Sequence, residues 1–161
     1  MQNAKDSFYA ELRARLAAIN PNRTILLRGT TRPGLLVEEA EAPFSQLPKD
    51  VFVLRWLGTE VNSDLPAAMI AADCEFIYQT CGSQIFAGLD RGRALSAMDE
   101  ELVSMTQPLT AAKSNYSVQP PQSLLTNIFW EQPAFGPMTA EHDQLGRSVK
   151  VTVYSYQEQG E

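Results

Sequence analysis

The chain has 161 residues, of which 44% are hydrophobic and 20% charged, and its net charge is −6 at neutral pH. This length suits one domain, and the composition is that of a folded globular protein, which excludes an intrinsically disordered chain. Thirteen basic residues against nineteen acidic ones also argue against a nucleic-acid-binding surface, because affinity for phosphates comes from Lys and Arg side chains.

The first predicted element is an amphipathic helix over about residues 7–19. Its apolar side chains recur at steps of four, four and three, which places them on one helix face: Phe8, Leu12, Leu16 and Ile19. Pro21 ends the helix, because the residue before a proline avoids the helical conformation. We expect Asp6 or Ser7 to cap the first turn.

Apolar runs then predict four strands. The runs 24–29 and 34–40 flank the turn sequence TTRPG, so we expect them to form a hairpin. The run 51–61 is rich in β-branched and aromatic residues, and near its start both faces look covered. A strand is also expected over 70–80, although the Ala, Met and Ile residues at its start favour helix as well.

A second helix is predicted over 91–105, where inward-facing residues recur at steps of three, four and three: Leu95, Met98, Leu102 and Met105. Two closing strands are predicted over 125–132 and 147–158, the second with strict alternation from Val149 to Tyr154. Extended loops are expected at 30–50 and 109–125. The sequence therefore predicts a single α+β domain over 1–161, with two principal helices packed on a mainly antiparallel sheet.

No apolar run approaches the roughly 18 to 20 residues of a membrane span, and the first twelve residues lack the apolar core of a signal peptide. We therefore expect a cytoplasmic protein with no membrane partner. Cys74 and Cys81 are seven residues apart, which places them on opposite faces of the predicted strand and prevents their pairing. With one histidine they match no common zinc pattern, so buried reduced thiols and no cofactor are expected.

The glycine-rich stretch GSQIFAGLDRGRALSAMDEEL, residues 82–102, raises the question of a phosphate-binding loop. A Walker loop needs Lys and Ser or Thr directly after its second glycine, whereas Leu89 and Asp90 follow Gly88 here. The glycine spacing also differs from the dinucleotide-binding pattern. The stretch is therefore interpreted as a turn in which Asp90 caps the second helix.

No catalytic residue is predicted. His142 is the only histidine, and it lies between Glu141 and Asp143 in the sequence TAEHDQLG. Adjacent side chains do not converge on one point, and no nucleophile and base are arranged around this residue in the sequence. The trio is interpreted as part of a polar hairpin loop.

The second helix carries an unusual charge order. Arg91 and Arg93 lie in its first turn, and Asp99, Glu100 and Glu101 lie towards its end, the reverse of what the helix dipole favours. One explanation is that solvent screens these charges. The other is that the basic and acidic ends meet complementary patches on neighbouring subunits, which makes these five residues a candidate subunit interface.

The order of elements gives one resemblance. A helix FYAELRARLAAI precedes strands that include VFVLRWLGTEV and CEFIYQT, followed by the helical segment GLDRGRALSAMDEELVSM and a final strand VKVTVYSYQE. This order resembles the tail-terminator and minor-tail proteins of long-tailed bacteriophages. The resemblance covers most of the chain, with 30–50 and 109–125 as variable loops.

The resemblance implies a structural tail protein without enzymatic activity. It would form a homo-oligomeric ring that caps the tail tube, contacts tube and neck proteins, and passes from the cytoplasm into a virion or phage-like tail. No sequence-specific binding to nucleic acid is expected. The alternative is a small enzyme or ligand-binding module, with a pocket between helix 91–105 and the sheet and with Arg91, Arg93 and His142 as polar contacts.

Overall fold

The computed structural model describes residues 1–41, 46–64 and 67–158. Within these ranges the chain is a mixed helix and strand structure dominated by strands, as the α+β prediction expects. The elements are α1 (Gln2–Ile19), β1 (Thr24–Leu27), β2 (Thr30–Pro33), β3 (Leu35–Val37), α2 (Glu38–Glu41), β4 (Phe52–Asn62), β5 (Met69–Thr80), α3 (Arg91–Met105), β6 (Thr110–Asn115), β7 (Gln122–Trp130), β8 (Ala134–Phe135), β9 (Thr139–Glu141) and β10 (Gln144–Tyr156).

The main sheet has the strand order β3-β4-β5-β10-β7-β6, and β8 and β9 also pair with β10. Most neighbouring strands are antiparallel, including the long pairing of β5 with β10. β3 runs parallel to β4, however, so the sheet is mixed. This parallel pair forms because the chain leaves β3 through α2 and returns to start β4 in the same direction.

Both long helices pack on one face of this sheet and contact each other. α1 also contacts the two edge strands, β3 and β6, so the sheet curls around it. The core between helices and sheet contains Phe8, Leu12 and Leu16 from α1, the four inward residues of α3, and alternate residues of the central strands, among them Phe76, Tyr78, Val149, Val151 and Val153.

The other face of the sheet has an apolar cluster near the start of β4. There Leu36, Val51 and Val53 form a second cluster with apolar residues of β1 and with Leu47. The prediction that both faces are covered at this point is therefore confirmed. Further along, this face has both polar side chains and exposed aromatic rings: the hydroxyl of Thr152 donates to Asp73 across 2.6 Å, and Phe129 stacks on Tyr154.

The predicted hairpin between 24–29 and 34–40 is wrong. β1 pairs with β2, and the turn lies at Arg28 and Gly29, whose φ angles are 50° and 80°. Two consecutive residues with positive φ form the tight turn that matches the twist of paired strands. The expected loop at 30–50 therefore contains β2, β3 and α2, while 42–45 lie outside the described residues.

The expected loop at 109–125 is also wrong over most of its length. β6 and the start of β7 form a hairpin with a connection at 116–121. β6 packs against α1, where the amide of Ser114 donates to the hydroxyl of Ser7 across 2.9 Å. Small and polar residues with no apolar alternation make up this edge strand, which is why the sequence pattern missed it.

The two long helices differ in how well their starts were predicted. α3 has the predicted bounds, but α1 begins at Gln2 and neither Asp6 nor Ser7 caps it. Instead, Asp6 accepts a hydrogen bond from the side chain of Gln2 across 2.8 Å. No helix in the described part of the chain is long and apolar enough to span a membrane.

Candidate interaction surface

α3 is buried along one face and open along the other. Leu95, Met98, Leu102 and Met105 face the core, as their spacing predicts. The opposite stripe runs at steps of three and four through exposed residues: Arg93, Ser96, Ala97, Glu100, Val103 and Ser104. The helix therefore presents a continuous outer face with a different surface feature at each end.

The first feature is the apolar loop, residues 82–90, which precedes α3. Ile85 and Leu89 are each 89% exposed, and Phe86 is 53% exposed. Arg93 of the following helix lies beside the loop, with its guanidinium carbon 5.8 Å from the centre of the Phe86 ring. Large apolar side chains with this exposure form a small hydrophobic patch with a basic margin.

The base of the apolar loop is held by its own hydrogen bonds. The amide of Ser83 donates to the carboxylate of Asp90 across 2.8 Å, and the amide of Gly88 donates to the carbonyl of Ser83 across 3.0 Å. Gly82 has a φ of +72°, and a Cβ at this position would lie 2.5 Å from a carboxylate oxygen of Asp90. Gly82 therefore allows a tight turn that a residue with a side chain would obstruct.

Asp90 stands at the start of α3 but does not cap it through its side chain. Its carboxylate instead accepts the backbone hydrogen bond of Ser83, and this bond holds the pKa of Asp90 below its ordinary value. The predicted helix-capping role is therefore wrong. The same carboxylate closes the preceding loop because Ser83 folds back over the helix start.

The second feature is the α3 groove, which lies between the second half of α3 and the strands β8 and β10. It has a volume of about 580 Å³ and is lined by Asp99, Glu100, Val103, Ser104, Phe135 and Arg147. Its apolar part is formed by Val103 and Phe135, which are 42% and 39% exposed. The groove is thus a surface depression with apolar walls and an acidic side.

One polar cluster forms the floor of the α3 groove. The hydroxyl of Tyr78 donates a short hydrogen bond to Asp99, and Arg147 donates to the same carboxylate oxygen across 3.1 Å. Arg147 also donates to the carbonyl of Gly136 across 2.7 Å. Burial and the neighbouring Asp99 raise the pKa of Tyr78 well above its ordinary value. Asp99 is therefore engaged within its own chain.

Glu101 is engaged in the same way. It forms an ion pair with Arg23 and accepts a hydrogen bond from the side chain of Asn20 across 2.8 Å. Asp99 and Glu101 are therefore both paired within one chain, which neither solvent screening nor a neighbouring subunit is needed to explain. Glu100 points outward and forms no ion pair with any residue that the structure describes.

The basic residues of the predicted interface lie at the other end of α3. Arg93 is exposed, whereas Arg91 is half-buried against the base of the apolar loop, close to Gly82. The five predicted residues therefore divide into three groups. Arg93 and Glu100 are on the open face, Asp99 and Glu101 are paired internally, and Arg91 supports the loop.

The polar contacts of the alternative prediction do not meet in one pocket. His142 occupies a turn with a φ of 56° and lines a cavity with Lys49, Gln79 and the neighbouring acidic residues. Arg91 lines a separate cavity with Cys81 and Asp143. The groove that does lie between α3 and the sheet contains Arg147, which the sequence did not single out.

The two cysteines are free thiols. Cys74 is buried in β5, and burial raises its pKa, as expected for a structural thiol. Cys81 is only half-buried, because it lies just beyond the end of β5. In the ranges that the structure describes, no three His, Cys, Asp or Glu side chains come together as a possible metal site.

Sequence reasoning missed both surface features. Ile85, Phe86 and Leu89 have the composition of a segment that turns inward, and their exposure depends on the way the loop folds over Ser83. The groove joins residues of α3 with Phe135 and Arg147, which are distant in sequence.

Neither a protein-family model nor a curated protein sequence matches this chain.

Proposed function

We propose that this chain is a structural protein of a phage or prophage tail, similar to tail terminators, that associates with copies of itself. The copies form a ring that caps the tail tube and joins it to neck proteins. The proposal includes the finer description of the fold that the resemblance implies, namely two principal helices on a mainly antiparallel sheet. In this proposal the chain has no catalytic activity.

The main support for this proposal is the exposure of the apolar loop. Ile85, Phe86 and Leu89 are directed to solvent from a loop that is closed by hydrogen bonds at its base. Contiguous exposed apolar surface on a soluble protein marks a site of interaction, because its burial removes apolar area from water. A loop held in this way is suited to permanent contact with another protein surface.

The charge of the chain supports the same proposal. Its net charge of −6 gives an average repulsion towards DNA, which is suited to a ring through which DNA passes without being retained. The acidic residues are distributed over the sheet face and the helices, as with Asp73, Glu75 and Glu100. This support is electrostatic and independent of the apolar loop.

The test is the state of association of the purified chain. We expect size-exclusion chromatography with light scattering to give a mass that rises with protein concentration, and negative-stain electron microscopy to show rings. Added tail-tube protein should stabilise the rings. A chain that remains monomeric at every concentration, with and without tube protein, would contradict the proposal.

The α3 groove favours one second candidate, a small-ligand-binding module. Its volume of about 580 Å³ lies in the range of ligand pockets, and it combines apolar walls with the Asp99–Arg147 pair. A metabolite library screened by thermal shift distinguishes the two functions. Saturable stabilisation of a monomer by a small molecule, lost on Val103→Asp substitution, would favour the second candidate.

A further inference from the structure

We propose that the apolar loop of one copy inserts into the α3 groove of a neighbouring copy. The inference rests on the self-association proposed above and adds to it the two surfaces that meet. The molecule that occupies the groove is a second copy of this chain, because the loop and the groove are complementary in both apolar character and charge.

The apolar parts correspond in character. The loop presents Ile85 and Leu89, both almost fully exposed, with Phe86 beside them. The groove presents Val103 and Phe135, and the Arg147 guanidinium carbon lies 6.0 Å from the centre of the Phe135 ring. Contact between these surfaces would place aromatic and aliphatic side chains at the centre of the interface, where their burial removes apolar area from water.

The charges around the two surfaces are opposite. Arg93 is exposed beside the apolar loop, and Glu100 is exposed at the side of the groove. Asp99 and Arg147 neutralise each other within the groove, so Glu100 sets the charge of its margin. A loop approaching with Arg93 would therefore meet a carboxylate, which favours this pairing over contact between two loops or between two grooves.

A chain cannot fill its own groove in this fold. Leu89 precedes α3, and Val103 lies in its last turn, so the helix rise of 1.5 Å per residue separates them by about 20 Å. The hydrogen bond between Ser83 and Asp90 also holds the base of the loop at the start of the helix. Another copy must therefore supply the loop.

The two surfaces differ from each other and lie at opposite ends of one helix. In the ring proposed above, each copy would give its loop to one neighbour and receive a loop from another, so the contact is head-to-tail. Contacts of this kind produce a closed ring when the rotation between copies closes, and an open filament when it does not. A two-fold axis between antiparallel α3 helices would instead join both loop and groove pairs in one closed dimer, so the mass of the parent assembly distinguishes a ring from a dimer.

Two variants test the contact directly. Ile85→Asp with Leu89→Asp removes the loop surface and leaves the groove, whereas Val103→Asp removes the groove surface and leaves the loop. We expect each variant alone to be monomeric, with association weakened about 30-fold or more. Mixed together, they retain one intact loop and one intact groove and should form a 1:1 heterodimer that cannot grow, measurable by light scattering.

Leu26→Asp is the matched control, because Leu26 is also an exposed leucine but belongs to the β1–β2 hairpin. It should assemble as the parent does. A second pair of variants tests the charge contact between Arg93 and Glu100. Arg93→Glu alone should weaken assembly, and Arg93→Glu combined with Glu100→Arg should restore it. Circular dichroism of each variant checks that the fold is retained.

The outcomes separate this inference from the proposed function. If the parent forms rings and the loop or groove variants form them equally well, or the mixture gives no heterodimer, the inference is wrong and the proposed function stands. If the parent and the mixture both remain monomeric, both are wrong. A heterodimer together with charge-swap rescue would confirm the contact.

Discussion

Arg23 and Glu101 form an ion pair that joins two segments separated by 78 residues of chain. Both side chains are 13% exposed. Arg23 also donates to the carbonyl of Asp50 across 2.8 Å, and Asn20 at the end of α1 donates to Glu101. The pair therefore connects the end of α1, the start of β1 and the second half of α3, and it belongs to the fold of a single chain.

The first prediction compares two neighbouring glutamates. Glu101→Gln should lower the free energy of unfolding by about 1.5 to 3 kcal/mol, because it removes charge-assisted hydrogen bonds and leaves the half-buried Arg23 without a carboxylate partner. Glu100→Gln should change it by less than about 0.5 kcal/mol, since this side chain is exposed. Urea denaturation of the two variants measures the difference. Equal losses would contradict the assignment of Glu101 to the fold.

The second prediction concerns the inward face of α3. Leu95→Ala and Leu102→Ala should each cost about 2 to 5 kcal/mol of stability, because both leucines are buried and each substitution leaves a cavity. Val103→Ala, on the open face of the same helix, is the control and should have little effect on the monomer. Losses below half a kcal/mol at both leucines would show that the face is assigned wrongly.

The third prediction is a pH dependence. Because the folded pKa of Tyr78 is raised, its contribution to stability is fully present below the unfolded pKa of about 10 and falls as pH rises above it. Tyr78→Phe should lower stability at neutral pH by about 1.5 to 3 kcal/mol, through loss of the bond to Asp99, and should also reduce the alkaline decline.

Denaturation of parent and Tyr78→Phe at a series of pH values measures both effects. The stabilities of the two proteins are subtracted at each pH, because other tyrosines contribute to the alkaline decline in both. Burial raises the pKa of Tyr116, and the hydrogen bond to Glu131 raises the pKa of Tyr154. If both proteins lose stability equally above pH 10, Tyr78 is not responsible for the decline.

The fourth prediction is that nucleotides and divalent metal ions do not stabilise the protein. The glycine spacing of 82–92 does not match either phosphate-binding pattern, and the carboxylate of Asp90 lies where a phosphate would approach. A ligand at 100 times its dissociation constant adds about 2.7 kcal/mol, which a thermal-shift assay detects readily. A saturable shift with any nucleotide would overturn this prediction.

The fifth prediction reverses the basic end of α3. Arg91→Glu with Arg93→Glu should weaken assembly, while the stability of the helix stays equal or improves by about 0.3 to 1 kcal/mol per charge through the helix dipole. Lys150→Glu, an exposed charge reversal on the far face of the sheet, is the control for a charge reversal away from α3. Unchanged assembly at physiological salt would mean that this end of α3 is not part of the contact between copies.

α3 and β10 could be predicted from sequence because the residues that carry their pattern are buried. α3 has the predicted bounds because its inward residues follow the helical period and Pro108 follows its end. The alternation of Val149, Val151 and Val153 likewise marks β10, and all three valines are buried. In both cases the local pattern and the tertiary packing agree.

The elements that could not be predicted lack such a pattern. The β1–β2 turn places Arg28 at positive φ, a conformation that arginine seldom adopts, so Arg28–Gly29 is not a common turn sequence. At the candidate site, Asp99 pairs with Arg147, 48 residues away in the sequence, and Glu101 pairs with Arg23, 78 residues away. Charge order along one helix cannot show partners that only the packing of distant strands brings close.

The position of β10 in the sheet has a consequence for biosynthesis. This strand lies between β5 and β7, and it is made after every other strand of the sheet. A nascent chain that has not reached residue 144 therefore exposes the full edge of β5 that β10 covers, and such unpaired edges promote aggregation. Folding should thus follow synthesis of β10 and proceed slowly, since contacts distant in sequence must form before the core closes.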